Sequence, residues 1–194
     1  EISDNLGQQV LLNFFTGKYH KPKRESRIFM FVDMKDSTTI AEKVGNAAYF
    51  ELLQSYYYDF SNAIINNRGE VYQYVGDEIV ITWKLDKGIE RNNCVQCFFD
   101  MKEALRKKTE LYLKKYGIAP QFKAGMHCGT VTTGEIGALK KDIFFTGDVL
   151  NTTARILGLC TTYESDLLLS KIMADHLSLN KGFLVKDLGT SQKK

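Results

Sequence analysis

The fold is decided by the stretch RIFMFVDMKDSTT, residues 27–39, in which an apolar run ends at an aspartate and small hydroxyl residues follow. The apolar run predicts a buried strand that ends at Asp33. Hydroxyl residues are typical of a helix start, where N–H groups without partners favour phosphate binding. This stretch therefore predicts a carboxylate beside a place for phosphates.

A second aspartate stands at a predicted bend. The stretch VYQYVGDEIVI, residues 71–81, predicts two alternating strands joined at Gly-Asp, with Asp77 at the hairpin tip. A hairpin tip can lie beside the end of a neighbouring strand, so Asp33 and Asp77 together indicate a divalent-metal site. From these two stretches alone, an alternative stays open in which Asp33 is a helix N-cap and Asp77 a turn residue.

Two further blocks complete a recognisable pattern. The stretch TGDVLNTTAR, residues 146–155, places Asn151 and Arg155 on one helical face, and GMHCG, residues 125–129, lies in a predicted strand. In order and spacing, the four blocks resemble those of the class III nucleotidyl cyclases: F-x-D-M-x-x-S-T, V-G-D, G-x-H-x-G and G-D-x-L-N-x-x-A-R. The resemblance covers residues 27–189, and four ordered blocks are far more specific than any one of them.

The order of elements predicts an α+β fold. Helical spacing of apolar residues over 47–67 and 89–116 separates a first strand, the hairpin, and strands at 121–128 and 130–136. This βαββαβ order indicates a ferredoxin-like core with a mainly antiparallel sheet covered by helices on one face. The resemblance implies the same palm-type fold. Later elements are predicted as a helix around Asn151, a strand at 167–170, a helix at 171–177 and a last strand at 182–188.

The resemblance implies two-metal catalysis of nucleotide cyclisation, in which the ribose 3′-hydroxyl attacks the α-phosphate and pyrophosphate leaves. Two divalent ions, Mg²⁺ or Mn²⁺, would be held by Asp33, Asp77 and the backbone carbonyl of Met34. The N–H groups of the following turn would bind the triphosphate; the residues assigned to it are Lys35, Ser37 and Thr38.

Two residues of the predicted later helix match the family's catalytic positions. Asn151 would orient the ribose, and Arg155 would offer paired donors to phosphate charge that grows in the transition state. The alternatives are a capping residue and a surface cation. Lys123 stands where many members have an arginine for the phosphates, and it keeps the charge without the fork. His127 is expected to pack or hydrogen-bond within its strand.

Base choice in the family depends mainly on the positions held here by Gln73 and Phe144. Adenylate cyclases commonly have Lys with Asp or Thr there, and guanylate cyclases have Glu at the first, so neither residue fits either rule. Gln73 carries a donor and an acceptor and can pair with adenine, guanine or a pyrimidine, whereas Phe144 can only pack. ATP is the expected substrate because most members of bacterial type use it; GTP or a pyrimidine triphosphate stays open.

The resemblance also implies an adenylate cyclase-like phosphorus-oxygen lyase that works as a head-to-tail homodimer. One subunit would supply Asp33 and Asp77, and the other would supply Gln73, Phe144, Asn151 and Arg155, so a monomer should be inactive. A nucleotide-binding pseudocyclase is the main alternative, but such domains usually lose a metal aspartate or the arginine. A diguanylate cyclase shares the palm fold but should lack the helix with Asn151 and Arg155.

Composition favours one reduced, cytoplasmic domain. The 194 residues are 44% hydrophobic, which suffices for a buried core, and a net charge of +3 is too mild to indicate nucleic-acid binding. The C-x-x-C pair Cys94 and Cys97 has no second pair or nearby His for zinc, so both are expected to face the core. No apolar run has the length of a membrane span, and no secretory pattern occurs.

The first 26 residues predict a connector ahead of a catalytic domain at 27–194. They combine a short amphipathic segment with a basic, turn-rich one, and the chain begins with Glu1 rather than methionine. The resemblance implies a link to an upstream sensor or membrane domain in a longer parent protein. The alternative is a solvated basic linker without a signalling role.

Overall fold

The computed structural model describes residues 21–137, 142–179 and 182–189. The strands in this part of the chain are β1 (Lys23–Met34), β2 (Glu70–Val75), β3 (Glu78–Lys84), β4 (Phe122–Ile136), β5 (Asp142–Thr146) and β6 (Leu167–Leu169). The helices are α1 (Ser37–Val44), α2 (Asn46–Asn66), α3 (Leu85–Ile89), α4 (Asn93–Lys107), α5 (Thr109–Tyr116), α6 (Asp148–Thr162) and α7 (Lys171–Asp175), with a 3₁₀ turn at Glu90–Asn92.

The strands form one sheet in the order β2-β3-β1-β4-β5, with β6 beside β4. Neighbouring strands are antiparallel, except that β6 runs parallel to β4. The first strand thus lies between β3 and β4, while β2 and β3 form a hairpin at the edge, which is the ferredoxin-like βαββαβ arrangement. The predicted α+β fold with a mainly antiparallel sheet is confirmed.

Side chains alternate between the two faces of β1, and each face has its own core. Ile28, Met30 and Val32 belong to the larger core, which α2 and α4 cover with Leu52, Tyr56, Phe60, Phe98 and Met101. Phe29 and Phe31 belong to a smaller core on the other face, with Val149 and Leu157 of α6. Because α6 covers part of that second face, the expectation of helices on one face alone is wrong.

Several element boundaries differ from those predicted. The segment at 121–136 is one long strand rather than two, and β5 was not predicted at all. The helical stretch at 89–116 is interrupted where Arg91 and Asn92 take positive φ angles of 54° and 56°, and again between α4 and α5. The predicted strand at 182–188 is wrong, since residues 182–189 form no regular element.

The start of the sheet lies within the segment assigned to a connector. β1 begins at Lys23 and pairs with β4 from that residue onward, whereas residues 1–20 lie outside the described residues. Cys94 and Cys97 are buried and free, as are Cys128 and Cys160, which confirms their expected place in the core. None of the helices in the described ranges is long and apolar enough to cross a bilayer.

Candidate active site

Asp33 and Asp77, called the aspartate pair below, come together where β1 ends and the β2–β3 hairpin turns. In the sheet, Asp33 lies opposite Glu78, the residue that follows Asp77 in the chain. Burial raises the pKa of the Asp33 carboxyl, and the charge of Asp77 and a hydrogen bond with it raise that pKa further. The two carboxyl groups are therefore close enough to repel each other when both are ionised.

A third carboxylate and one cation surround the aspartate pair. Burial, followed by the charges of the pair, raises the pKa of Glu78. Lys123 of β4 places its Nζ 3.4 Å from an Oδ atom of Asp33 and 3.3 Å from Oγ1 of Thr161. This single ammonium group does not offset the carboxylates, because the pKa of Asp33 remains raised beside it.

The donor chemistry of this corner fits a small, hard divalent cation. Within the described ranges, no group of three or more His, Cys, Asp or Glu side chains is arranged to hold a metal. The ligands would therefore be the aspartate pair with a backbone carbonyl such as that of Met34, the last residue of β1. Oxygen ligands of this kind suit Mg²⁺ or Mn²⁺. Such a cation would also relieve the repulsion between the two carboxylates.

The turn after β1 leaves the N–H groups of a helix start uncapped. Asp36 precedes α1 in the left-handed conformation, with φ of 55°, and its side chain makes no capping hydrogen bond. The N–H groups of the first helical turn, which include those of Ser37 and Thr38, have no partner within the helix. They lie next to the end of β1, where a bound phosphate would accept their hydrogen bonds.

Lys35 makes other contacts in this conformation. Its backbone N–H donates to the carbonyl of Gln121 at 2.8 Å, so it is not one of the unpaired donors that the prediction counted. Its ammonium group lies 2.5 Å from one Oδ atom of Asp166, and Lys102 lies 2.6 Å from the other. Asp166 thus ties the β1–α1 turn to α4, a link that the sequence analysis missed.

Asn151 and Arg155 lie on the exposed side of α6, turned away from the sheet. The C-terminal end of α6 is the end near Asp33, because Thr161 contacts Lys123 there. At 1.5 Å per residue, Asn151 lies about 15 Å and Arg155 about 9 Å from Thr161 along the helix axis. Within one chain, the helix therefore holds Asn151 well away from the aspartate pair.

Gln73 and Phe144 lie on strands at opposite ends of the sheet, yet the sheet curls so that these strands meet. Tyr72 of β2 packs against Phe145 of β5 with ring centroids 4.9 Å apart. The Tyr72 hydroxyl also hydrogen-bonds with the backbone of Phe145. Their neighbours Gln73 and Phe144 are both exposed, so one chain presents the two candidate base-contacting residues beside the same aromatic contact.

A buried arginine joins the same strands, and the sequence analysis assigned it no role. Arg27 is 2% exposed, and its guanidinium donates to Glu25 and to Glu70 of β2, each at 2.9 Å. The guanidinium carbon also lies 4.8 Å from the ring centroid of Phe145. Arg27 therefore links β1, β2 and β5, and with them the strands that carry Gln73 and Phe144.

His127 of β4 contacts Ser170, the N-cap residue of α7. Its Nδ1 lies 2.7 Å from the hydroxyl of Ser170, which itself accepts the N–H of Met173. Burial lowers the pKa of the imidazole, although the charge of Asp148 opposes this. These contacts agree with the expected packing role.

The close approach of α6 to β4 depends on Gly125. A Cβ atom at this position would lie 2.3 Å from the backbone nitrogen of Leu157 and 2.7 Å from its Cα. Because backbone cannot move aside as a side chain can, any larger residue would push α6 away from the sheet.

Gly125→Ala is therefore expected to lower the free energy of unfolding by about 1–3 kcal/mol, as overpacking of a close contact does. Chemical denaturation would measure it. Gly134→Ala is the matched control in the same strand, because a Cβ atom there meets only Pro22, at ordinary contact distances from 3.6 Å. Equal stability of the two variants would contradict the tight helix–strand contact.

Comparison with known proteins gives one family match that spans most of the chain. Residues 19–192 match the family described as adenylate and guanylate cyclase catalytic domain. The chain is 35% identical over 193 residues to adenylate cyclase 2 of Rhizobium meliloti (strain 1021), covering 100% of the chain and 53% of that protein. It is 27% identical over 153 residues to adenylate cyclase 1 of the same organism, covering 76% and 23%. The chain thus spans about half or less of these relatives.

Solved structures share the fold at low sequence identity. A bacterial light-regulated adenylyl cyclase has a TM-score of 0.78 at 21% identity, with 89% of this chain and 50% of that chain covered. The guanylyl cyclase Cya2 has a TM-score of 0.72 at 19% identity, with 88% and 89% covered. At these identities the likeness shows the fold alone. One of the two structures is named an adenylyl cyclase and the other a guanylyl cyclase.

Proposed function

The chain belongs to the adenylate and guanylate cyclase catalytic domain family, and we propose that it converts ATP into 3′,5′-cyclic AMP and pyrophosphate at a site shared by two copies of the chain. The observation that carries this proposal is the aspartate pair, two mutually repelling carboxylates at the end of β1 and the tip of the neighbouring hairpin. ATP is favoured over other nucleotides because the curated relatives at 35% and 27% identity are adenylate cyclases.

Asp33, Asp77 and the carbonyl of Met34 would hold two divalent ions, Mg²⁺ or Mn²⁺. When bound, such ions make the ribose 3′-hydroxyl more acidic and neutralise charge on the departing pyrophosphate. The chain's own task at this corner is to hold the two carboxyl groups side by side. The N–H groups of Ser37 and Thr38 would hold phosphate oxygens, with the positive end of α1 behind them.

Asn151 and Arg155 would act on the other side of the nucleotide. The Asn151 amide would hydrogen-bond the ribose and turn its 3′-oxygen toward the α-phosphate. Arg155 would donate to the phosphate oxygens as their charge grows in the transition state, which is where a fixed fork of donors contributes most. Lys123, already next to Asp33, would add a point charge rather than a paired contact.

The position of Asn151 supports a site made by two chains. It lies about 15 Å along α6 from the end near the aspartate pair, so one chain does not complete the site. A head-to-tail homodimer would bring Asn151 and Arg155 of one chain to the aspartate pair of the other, and it would contain two equivalent sites. Exposed apolar side chains would be covered in such a dimer: Tyr74 and Val75 of the edge strand β2, Phe144 of the edge strand β5 and Ile136 at the end of β4.

The reaction and its dependence on the dimer can be tested together. Purified protein incubated with ATP and Mg²⁺ or Mn²⁺ should release pyrophosphate and cyclic nucleotide in equal amounts. Specific activity should fall on dilution, as dimers dissociate into inactive monomers. ADP and phosphate as products, or a specific activity independent of concentration down to the monomeric range, would contradict the proposal.

Base selectivity is expected to depend on Gln73. Gln73→Lys offers only donors and should favour ATP, whereas Gln73→Glu offers acceptors to the N1–H and N2–H₂ edge of guanine and should favour GTP. The ratio of kcat/KM between the two nucleotides should change by a factor that corresponds to about 1–3 kcal/mol in free energy. This is the effect of leaving one buried polar group unpaired. Phe144→Ala is the control, because loss of a packing wall should weaken every nucleotide about equally.

If both Gln73 variants instead lower kcat/KM for all triphosphates by one factor, Gln73 does not contact the base. Selectivity would then reside in backbone groups near Phe144.

The segment ahead of β1 would couple this domain to another part of a longer protein. We propose that the part of residues 1–26 that lies ahead of β1 acts as that connector and that a sensor or membrane domain precedes it. The support is that the chain spans 53% and 23% of the two curated relatives.

A further inference from the structure

We infer that Tyr57 is a positioning residue that fixes the hairpin tip carrying Asp77. Its hydroxyl donates to the carbonyl of Gly76 at 2.7 Å and lies 3.4 Å from the carbonyl of Glu78. Gly76 and Glu78 are the residues immediately before and after Asp77 in the chain. One side chain of α2 therefore holds the backbone on both sides of a residue assigned to metal binding.

The hairpin tip needs such support because of its own composition. Gly76 takes φ of 62°, and a Cβ atom there would meet nothing within 4 Å, so the turn has freedom and open space around it. The strand that leads into it, β2, is at the edge of the sheet, and residues 73–76 are exposed. Without a contact from outside, a two-residue turn on an edge strand would fray.

The ring of Tyr57 is itself well anchored. It packs on Tyr74 of β2 with centroids 4.6 Å apart and on Tyr56 at 5.4 Å. Tyr56 is fully buried in the larger core, where it contacts Phe60 at 4.4 Å. The position of the hydroxyl is thereby set by the core, and the hydrogen bond carries that position to the tip.

The hydroxyl is a donor at any ordinary pH. Burial, and then the charge of Asp77, raise the pKa of Tyr57 far above neutrality, so the phenol keeps its proton. The two carbonyl groups accept that proton in hydrogen bonds. A phenylalanine at this position would fill the same space but could not donate a hydrogen bond.

The inference rests on the proposed function in one respect, that Asp77 is held in place in order to bind metal. Tyr57→Phe keeps the ring and its packing on Tyr74 and removes the hydrogen bond alone. The amide hydrogens of residues 74–79 should then exchange about 2- to 10-fold faster, which is the effect of losing one such bond. The affinity of the variant for Mn²⁺ alone should fall by about the same factor. It can be measured by adding Mn²⁺ to the protein and detecting the free ion by electron paramagnetic resonance.

Cyclase assays add a signature that a general loss of stability would not give. The Mn²⁺ concentration for half-maximal rate should rise about 2- to 10-fold, while kcat at saturating Mn²⁺ stays within about twofold of the parent. Tyr58→Phe is the matched control from the same helix, because its side chain is 64% exposed and its ring lies 5.9 Å from Nζ of Lys108. It should behave as the parent in all three measurements.

Unchanged exchange at residues 74–79, or unchanged Mn²⁺ affinity, in Tyr57→Phe would overturn the inference. A parent protein without cyclase activity would count against the proposed function instead. The exchange and Mn²⁺ measurements would still decide the role of Tyr57 in that case.

Discussion

Asp33→Ala and Asp77→Ala are each expected to abolish formation of cyclic nucleotide while leaving the folded dimer intact. Each variant removes one of the two carboxylates that would hold the metal ions. When groups act together in catalysis, removal of one of them abolishes nearly all of the catalytic rate. The expected fall in kcat is about a thousandfold or more. Product formation should be measured at saturating Mg²⁺ and Mn²⁺, so that weak metal binding is not mistaken for lost chemistry.

The fold should tolerate both changes. Burial and the neighbouring charge of Asp77 raise the pKa of Asp33, which means that its ionised form is unfavourable in the folded protein without a cation. Removing that carboxyl is therefore not expected to lower the melting temperature at neutral pH. Asp86→Ala is the control, because this aspartate side chain is 69% exposed and pairs with its neighbour Lys87. Cyclic product at a near-parental rate from either active-site variant would refute the metal assignment.

Mixing Asp77→Ala with Arg155→Ala should restore activity, although each variant is inactive alone. In the mixed dimer, one site combines both mutations and the other combines the intact Asp77 of one chain with the intact Arg155 of its partner. With random exchange at equal amounts, half of the dimers are mixed and each has one working site. The expected activity is therefore about a quarter of the parental value.

The control for this experiment is a mixture of Asp33→Ala with Asp77→Ala. Both mutations lie on the same side of the shared site, so no mixed dimer has an intact site and no activity should return. Subunit exchange should be followed with differently tagged chains. Inactive mixtures despite demonstrated exchange would contradict a site made by two chains.

The sequence predicted those parts of the fold whose signals are local. The apolar run that ends at Asp33 and the Gly-Asp bend before Glu78 each define their own strand or turn within a few residues, and both appear where expected. The βαββαβ order followed from the spacing of such runs. Asp33 and Asp77 come together because the register of β1 against β3 sets Asp33 opposite Glu78, and no local signal specifies that register.

The prediction divided β4 into two strands because of a glycine. Gly129 suggested an end between two strands, yet the strand runs through it. A Cβ atom there would lie 2.7 Å from Cγ2 of Val149, so the glycine makes room for α6 rather than ending the strand. The last predicted strand, at 182–188, failed for the opposite reason. Its apolar pattern suits a strand, but a strand also needs a partner to bond with, and no local signal reports one.

Contacts between residues far apart in the chain could not be predicted from local sequence patterns. Arg27 bonds Glu70, 43 residues away, and Lys35 bonds Asp166, 131 residues away. The same holds for the Tyr72–Phe145 contact that brings the two edge strands together. Nothing in the residues near any of these positions indicates the partner, because the curl of the whole sheet determines it.

Identification of the reaction product is the decisive test of the proposal that the chain is a nucleotidyl cyclase with ATP as its substrate. The purified protein should be incubated separately with ATP, GTP, CTP and UTP, each with Mg²⁺ and with Mn²⁺, and the products separated and identified by mass. We expect cyclic nucleotide and pyrophosphate to form fastest from ATP, with 3′,5′-cyclic AMP as the product, and neither to form with Asp33→Ala. No cyclic nucleotide from any of the four triphosphates, with either metal and with the dimer present, would contradict it.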